Sequence, residues 1–257
     1  MSSRTTSDFF AMLATPYTGE ELFDCLTDLV YFVKNERAEY VVVNRALMER
    51  CGAKDKRQII GRTAEDLFPA PLGRSYREQD EALIRTGAAI VNQLELHLYP
   101  GRDTGWCLTN KLPLRGAGGR VVGLVGSSHD LHPPDEEADG YEHVARAVQF
   151  ARDHLDERLT LSALAAAAGM SGYQFDRRVR RLFRVTTGQM LLKLRIDAAA
   201  EQLRDSNRPV AQIALSCGYS DQSAFARQFR RTTGLTPLEY RDAHRPASVR
   251  PRPRAGR

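Results

Sequence analysis

Val210-Ala-Gln-Ile-Ala-Leu-Ser-Cys-Gly218-Tyr-Ser220-Asp-Gln-Ser-Ala-Phe225-Ala-Arg227-Gln-Phe-Arg230-Arg231-Thr-Thr-Gly-Leu-Thr236-Pro237-Leu-Glu-Tyr240 decides how the chain is read, because it restates an earlier stretch. Val210, Ile213, Ala214, Gly218, Ser220, Phe225, Arg227, Arg230, Arg231 and Thr236 answer Leu161, Leu164, Ala165, Gly169, Ser171, Phe175, Arg177, Arg180, Arg181 and Thr186. Gly169 to Gly218 is an offset of 49 and Phe175 to Phe225 one of 50, so the second copy has one residue inserted before its second helix. Two copies are too few for a solenoid. They describe a small unit used twice.

Each copy reads as two helices around a tight turn. Tyr141 to Leu155 precedes them as a helix, with Val144, Val148, Ala151 and Leu155 at helical spacing. Thr160 caps Leu161 to Ala168, Gly169-Met-Ser171 turns the chain, and Ser171 caps a basic helix that runs to about Arg184. On that helix Phe175, Val179, Leu182 and Phe183 form one apolar stripe, opposite Tyr173, Gln174, Asp176, Arg177, Arg180, Arg181 and Arg184. In the second copy Pro209 opens a helix through Val210, Ile213 and Ala214, as proline does at a first helical position. Gly218-Tyr-Ser220 turns, and Asp221 to Thr232 buries Phe225 and Phe229 while exposing Gln222, Ser223, Arg227, Gln228, Arg230 and Arg231. A short helix from Thr236 and Pro237 through Tyr240 closes the unit. This is the helix-turn-helix arrangement, whose second helix enters the major groove of DNA. Gln189 to Asp205 joins the copies as a helix of about 26 Å at ~1.5 Å per residue. That is close to the ~34 Å between successive major-groove turns on one DNA face, so one chain can reach two of them.

Over residues 141–243 the chain resembles the AraC/XylS family of transcriptional regulators, above all at Val210 to Arg241. Carried over residue by residue, the resemblance implies base readers at Tyr173, Asp176 and Arg177 on the first reading helix, and at Gln222, Ser223 and Arg227 on the second. Arginine can donate two bonds to guanine, glutamine can pair with adenine, and an acid can accept from a cytosine amino group or orient a neighbouring arginine such as Arg180. Arg178, Arg181, Arg184, Arg230 and Arg231 are assigned to phosphates, which give affinity that falls with salt. Two departures from the family pattern sit in the first copy. Phe183-Arg184 stands where the second copy has Thr233-Gly234, and Thr187 stands in place of the proline at Pro237. The implied partners are double-stranded DNA and RNA polymerase, in an activator.

Composition agrees with a nucleic-acid partner. Residues 1–139 carry a formal charge of −5 and residues 140–257 one of +10, so an acidic module precedes a basic one. Cys25, Cys51, Cys107 and Cys217 are scattered, with no CxxC pair and no His cluster. This argues against a zinc site or disulfide framework, and for a reduced, cytoplasmic setting without metal or cofactor. No apolar run is long enough to span a membrane. There is no GxSxG, P-loop, HExxH or GxGxxG, and in Gly126-Ser-Ser-His-Asp130 neighbours on a strand point to opposite faces and cannot form a triad. No catalytic residue is expected. The rival to the regulator is an interaction adaptor with only nonspecific affinity for DNA.

The N-terminal half reads as α+β. Thr18 and Glu21 have capping-box spacing and predict a helix through Leu22, Cys25, Leu26 and Leu29. Strands over Leu29–Lys34 and Tyr40–Asn44 form a hairpin. Short helices follow over Arg45–Gly52, Lys56–Ile60 and Ala64–Phe68, then a longer one over Leu72–Thr86 with Tyr76, Leu83 and Ile84 as its buried face. Strands over Ile90–Tyr99, Trp106–Leu114 and Val121–Val125 complete an antiparallel sheet covered by helices on one side.

The order and spacing of Asp28 to Lys34, Tyr40 to Asn44, Ile60-Gly-Arg-Thr63 with Asp66-Leu-Phe-Pro69, Leu112 to Arg115 and Gly123 to Asp130 resemble the PAS sensor fold. That resemblance implies an inner sheet face that holds a small ligand or a module that mediates homodimerisation. Arg45 follows Asn44 where photosensory flavin-binding members have cysteine, and residues 72–86 hold no histidine for haem; the first histidine, His97, lies on a strand. The expected organisation is an extension at 1–19, the PAS-like domain at 20–130, a Pro-rich acidic linker at 131–140, the DNA-binding domain at 141–243 and an Arg/Pro-rich disordered tail at 244–257.

Overall fold

The computed structural model describes residues 9–98, 104–131 and 141–244. All but Leu131 of the expected linker at 131–140, the tail beyond 244 and Tyr99 fall outside these residues. The chain runs α1 (Glu20–Phe23), β1 (Leu29–Asn35), β2 (Tyr40–Val43), α2 (Arg45–Arg50), α3 (Ala64–Leu67), α4 (Leu72–Thr86), β3 (Ile90–Leu98), β4 (Thr104–Arg115) and β5 (Val121–Asp130). Helices α5 (Tyr141–Asp153), α6 (Leu161–Ala167), α7 (Gly172–Phe183), α8 (Thr187–Asp205), α9 (Val210–Ser216), α10 (Gln222–Thr233) and α11 (Pro237–His244) follow. No helix among the described residues is long and apolar enough to cross a membrane.

The five strands form one antiparallel sheet in the order β2-β1-β5-β4-β3. Its inner face packs under α2 to α4 on Val30, Phe32, Tyr40, Val43, Leu47, Ile59, Leu83 and Leu124. Buried Asn44 ties the first strands to the helices. Its side chain accepts from the Tyr31 and Leu47 amides, caps α2, and donates to the Phe23 and Leu29 carbonyls. Thr63 and Asp66 close a capping box on α3.

Three boundaries differ from the sequence reading. The helix expected from Thr18 to Leu29 is a single turn, because Gly19 at φ 74° is its cap and Leu29 is taken by the sheet. Lys56–Gln58 is a three-residue 3-10 turn. Strand β5 runs five residues beyond Val125, to Asp130, because it pairs with both β1 and β4 along its length.

In the C-terminal half both turns form as the repeat predicts. Thr160 caps α6, Ser171 caps α7 in a capping box with Gln174, Thr186 caps α8 in one with Gln189, and Asp221 caps α10. Arg184 ends α7 at φ 59° and Gly234 ends α10 at φ 77°. The first copy thus reaches the same left-handed exit without glycine.

The outer face of the sheet is covered too. Leu94, Leu96 and Trp106, with Leu72 of α4, belong to one apolar cluster with Val179, Leu194, Phe225, Phe229 and Tyr240 of the helical half. Around that contact Trp106 Nε1 donates to Asp197 at 2.8 Å, and Lys193 pairs with Asp197 at 2.6 Å and lies over the Trp106 ring. Gln189 donates to the Asn92 carbonyl at 2.9 Å. The two halves therefore share a core along β3, β4, α8 and α10.

Gly169 and Gly218 hold the same place in the two turns, at φ 68° and 77°, but differ in their surroundings. A Cβ at Gly169 meets open space, whereas one at Gly218 runs into the Leu155 carbonyl and the Arg195 guanidinium. Gly169→Ala should cost about 1–2 kcal/mol from the left-handed backbone alone, and Gly218→Ala clearly more. Chemical denaturation of the two variants side by side measures the difference, and equal losses would refute the steric account.

Candidate nucleic-acid interface

Helix α7 is amphipathic because its apolar residues fall three and four apart. Phe175 and Val179 are buried, while Tyr173, Arg177, Arg180, Arg181 and Arg184 are exposed. Tyr173 is 77% exposed, which for an aromatic on a well-packed helix leaves its ring for a partner. Arg177, Arg178 and Arg181 line a groove of about 450 Å³ with His143, Gly169, Met170 and Gln174. Asp176 is the most engaged of the residues assigned to base reading. One carboxylate oxygen accepts from Arg180 at 2.8 Å and the other from the Thr187 hydroxyl at 2.8 Å. The Arg180 and Thr187 bonds hold its carboxyl below the usual range. Thr187, where the second copy has proline, thereby joins the end of α7 to the start of α8.

Helix α10 repeats the design. Phe225 and Phe229 are fully buried, and Gln222, Ser223, Arg227, Arg230 and Arg231 are exposed. Asp221 accepts from the Ala224 amide at 2.7 Å, which fixes where the helix starts and so where Gln222 and Ser223 emerge. Between the two readers α8 has 19 residues, about 28 Å at ~1.5 Å per residue. The surfaces of α7 and α10 offer cations, amides, a hydroxyl and a phenol on rigid helices, the donor set that reads base edges and phosphates.

The two readers differ in their neighbours. Arg230 pairs with Glu78 of α4 at 2.8 Å, the Arg231 carbonyl accepts from Gln93, and Gly234 abuts Leu72 and Ser75. A cleft of about 460 Å³ lies here, with Tyr76, Glu78, Glu95 and His97 on one wall and Arg227, Arg230 and Arg231 on the other.

Under α4 the sheet interior is charged. Buried Asp80 accepts from both Lys34 and Lys111, the latter at 2.6 Å, and Lys111 also donates to Gln79. Lys34 lies 3.9 Å from the centre of the Tyr40 ring. Arg50 holds Asp130 through both carboxylate oxygens. Burial by itself raises the Asp80 carboxyl, and the two ammonium groups outweigh it, so the group titrates below its usual range. These side chains surround a cavity of about 40 Å³, room for a few water molecules at ~10–15 Å³ each.

The sequence reading missed this interior. Lys34 does continue the buried alternation Val30, Phe32, Lys34, a signal that could have flagged it. The reading also found no metal-ligand spacing, yet the fold brings Glu95, His97 and Cys107 together, with one donor atom of each within 4.8 Å of the others.

Comparison with known proteins accords with both halves. Residues 164–243 match the family described as a helix-turn-helix domain, and residues 23–134 match the PAS fold. Regulatory protein SoxS of Salmonella typhimurium is 33% identical over 94 residues, which are 88% of SoxS and 37% of this chain. The chain belongs to the AraC/XylS family. It is an AraC/XylS regulator with an N-terminal PAS-like domain, a family of DNA-binding transcriptional regulators and not of enzymes. The HTH-type transcriptional activator RhaR of Mannheimia succiniciproducens is 46% identical to it over 67 residues, 24% of each protein. Among solved structures, the DNA-binding domain of AdpA in complex with a target DNA is 37% identical to this AraC/XylS chain. It covers 39% of this chain and 91% of that one, at a TM-score of 0.37.

Breaking a buried ion pair by removing one partner costs about 3–5 kcal/mol. Asp80→Asn should therefore destabilise the PAS-like domain by that order at neutral pH. The native carboxyl is depressed, so its contribution is present above the unfolded value near ~4 and fades as pH falls through the lower native one. Urea denaturation from pH 7 to pH 3 should show a steeper acid loss for the native protein than for Asp80→Asn.

Proposed function

We propose that the chain is a cytoplasmic, sequence-specific DNA-binding activator that sets its two reading helices into successive major grooves and takes its input through the PAS-like domain. The observation that carries this reading is the pair of helices α7 and α10, each with its apolar stripe buried and its polar face exposed, held on one bar by α8. Tyr173, Asp176 and Arg177 read bases from α7, and Gln222, Ser223 and Arg227 from α10. Arg178, Arg181, Arg184, Arg230 and Arg231 meet phosphates. Asp176 already accepts from Arg180 and Thr187, so it meets a base with fewer open acceptor sites than an unengaged carboxylate. The functional units are 20–130 and 141–243. The likeness to SoxS and RhaR supports action on transcription, and the name of RhaR supports activation; an activator of this kind would have RNA polymerase as its partner.

The input reaches α10. Glu78 holds Arg230, and the cleft beside them is walled by Arg227 and Arg231. In the docked arrangement an arginine assigned to phosphate is neutralised by the sensor. A small ligand in the PAS-like domain, or a second copy meeting it, would act by loosening or fastening that contact.

Two measurements test this. Duplexes selected from a random library should give a defined site, and Arg227→Ala should lose ~1–3 kcal/mol of discrimination at one base pair. Equal weakening on every duplex would make the chain a nonspecific binder and favour the adaptor reading. Glu78→Ala releases a surface ion pair worth ~0.2–1 kcal/mol. It should tighten DNA binding by up to about fivefold in low salt, and unchanged or weaker binding would remove the sensor from the control of α10.

A further inference from the structure

Three side chains of the PAS-like sheet meet in a way that no part of the DNA-reading argument uses. Glu95 and His97 are two apart on β3 and so share a face of the sheet, and Cys107 on β4 is the direct cross-strand partner of Glu95. A carboxylate oxygen, an imidazole nitrogen and a sulfur atom come within 4.8 Å of one another, Glu95 Oε2 and His97 Nε2 at 3.0 Å. In a tetrahedral zinc site, with ligands about 2.0–2.3 Å from the ion, donor atoms lie roughly 3.3–3.8 Å from each other. The widest separation of up to 4.8 Å would have to close by about 1 Å.

The thiol lies 3.7 Å from the Glu95 carbonyl and 3.8 Å from the Thr109 hydroxyl, but the ion pair between Glu95 and His97 leaves one feature beside it unexplained. The Tyr76 ring is 5.3 Å from the His97 ring, and its hydroxyl is buried without a hydrogen-bond partner among the described residues. A buried hydroxyl left unpaired costs about 1–3 kcal/mol, so a group that accepts it restores that loss. Tyr76, Glu95 and His97 line the same cleft.

We propose that Glu95, His97 and Cys107 bind one zinc(II) ion, with the fourth position turned toward Tyr76. The donor set selects the metal class. Carboxylate, imidazole and thiolate together suit zinc and its cobalt analogue, whereas calcium and magnesium take oxygen alone. Three protein ligands with a fourth position free of protein define an open site. The ion displaces the protons on the thiol and the imidazole, which leave to solvent. It would sit two hydrogen bonds from a reading helix, because Glu95 Oε1 accepts from Gln93, and Gln93 donates to the Arg231 carbonyl.

The test uses the full chain, purified with chelator and titrated with zinc(II), or with cobalt(II) as a coloured probe. One equivalent should remain after dialysis, with a thiolate-to-cobalt charge-transfer band. The thermal midpoint should rise with free zinc, as binding to the native state alone requires. Cys107→Ser should abolish the band and weaken zinc binding at least tenfold. Cys217→Ser, remote from the cluster, should keep both. If Cys107→Ser does not fold, His97→Gln should lower affinity by a similar factor while the band shifts. No retained equivalent in the native chain overturns the proposal, as does a band that persists in Cys107→Ser.

Discussion

A sheet has two faces, and in this protein both are occupied along the same two strands. On β3 and β4 the inner side chains Glu95, His97, Cys107 and Thr109 look toward α4, and the outer ones, Leu94, Leu96 and Trp106, enter the core of the DNA-binding half. Because the pleat alternates, any shift of these strands moves both faces at once. This coupling makes the PAS-like domain more than a neighbour of the DNA-binding domain. The polar interior lies on one face of these strands and α8 packs on the other through Trp106, while α10 sits at the β3 edge beside Gln93 and Glu78.

The duplicated half was legible almost residue by residue because its signals are local. Ser171, Thr186 and Asp221 cap helices within three residues of themselves, and Gly169 and Gly218 turn the chain where they stand. Periodicity then separates Phe175 and Phe229 from the arginines without any knowledge of what they pack on. The sheet half was legible in its order for the same reason. Its first helix was not, since capping-box spacing at Thr18 competes with the demand of β1 for Leu29, and that demand depends on β5, about a hundred residues away. The contents of the interior were out of reach for a related cause. Lys34 finds Asp80 across 46 positions and Trp106 finds Asp197 across 91, and no periodicity records such partners. The docking of α10 on β3 was likewise invisible. Alternation on β3 reads as one buried and one wet face, while the structure buries Leu94, Glu95 and Leu96 in succession.

The two reading units are thus equal in plan and unequal in context. Helix α10 lies against the sensor, with Arg230 engaged by Glu78. Helix α7 is bound instead into its own half, through Asp176 to Thr187 at the root of α8. The first unit is tied to the connecting bar, and the second is tied to the sensor. The ion pair between the two halves therefore falls on α10, while α7 is joined to α8.

The exit of α7 shows what such specialisation demands of a single position. Arg184 holds a left-handed backbone that Gly234 adopts at no steric cost in the companion unit. Glycine at 184 would relax the chain and at the same time erase a cation from the rim of the groove-facing surface. One exit thus has the residue with conformational ease, and the other a residue with charge. At residue 184 backbone ease and an exposed positive charge exclude each other.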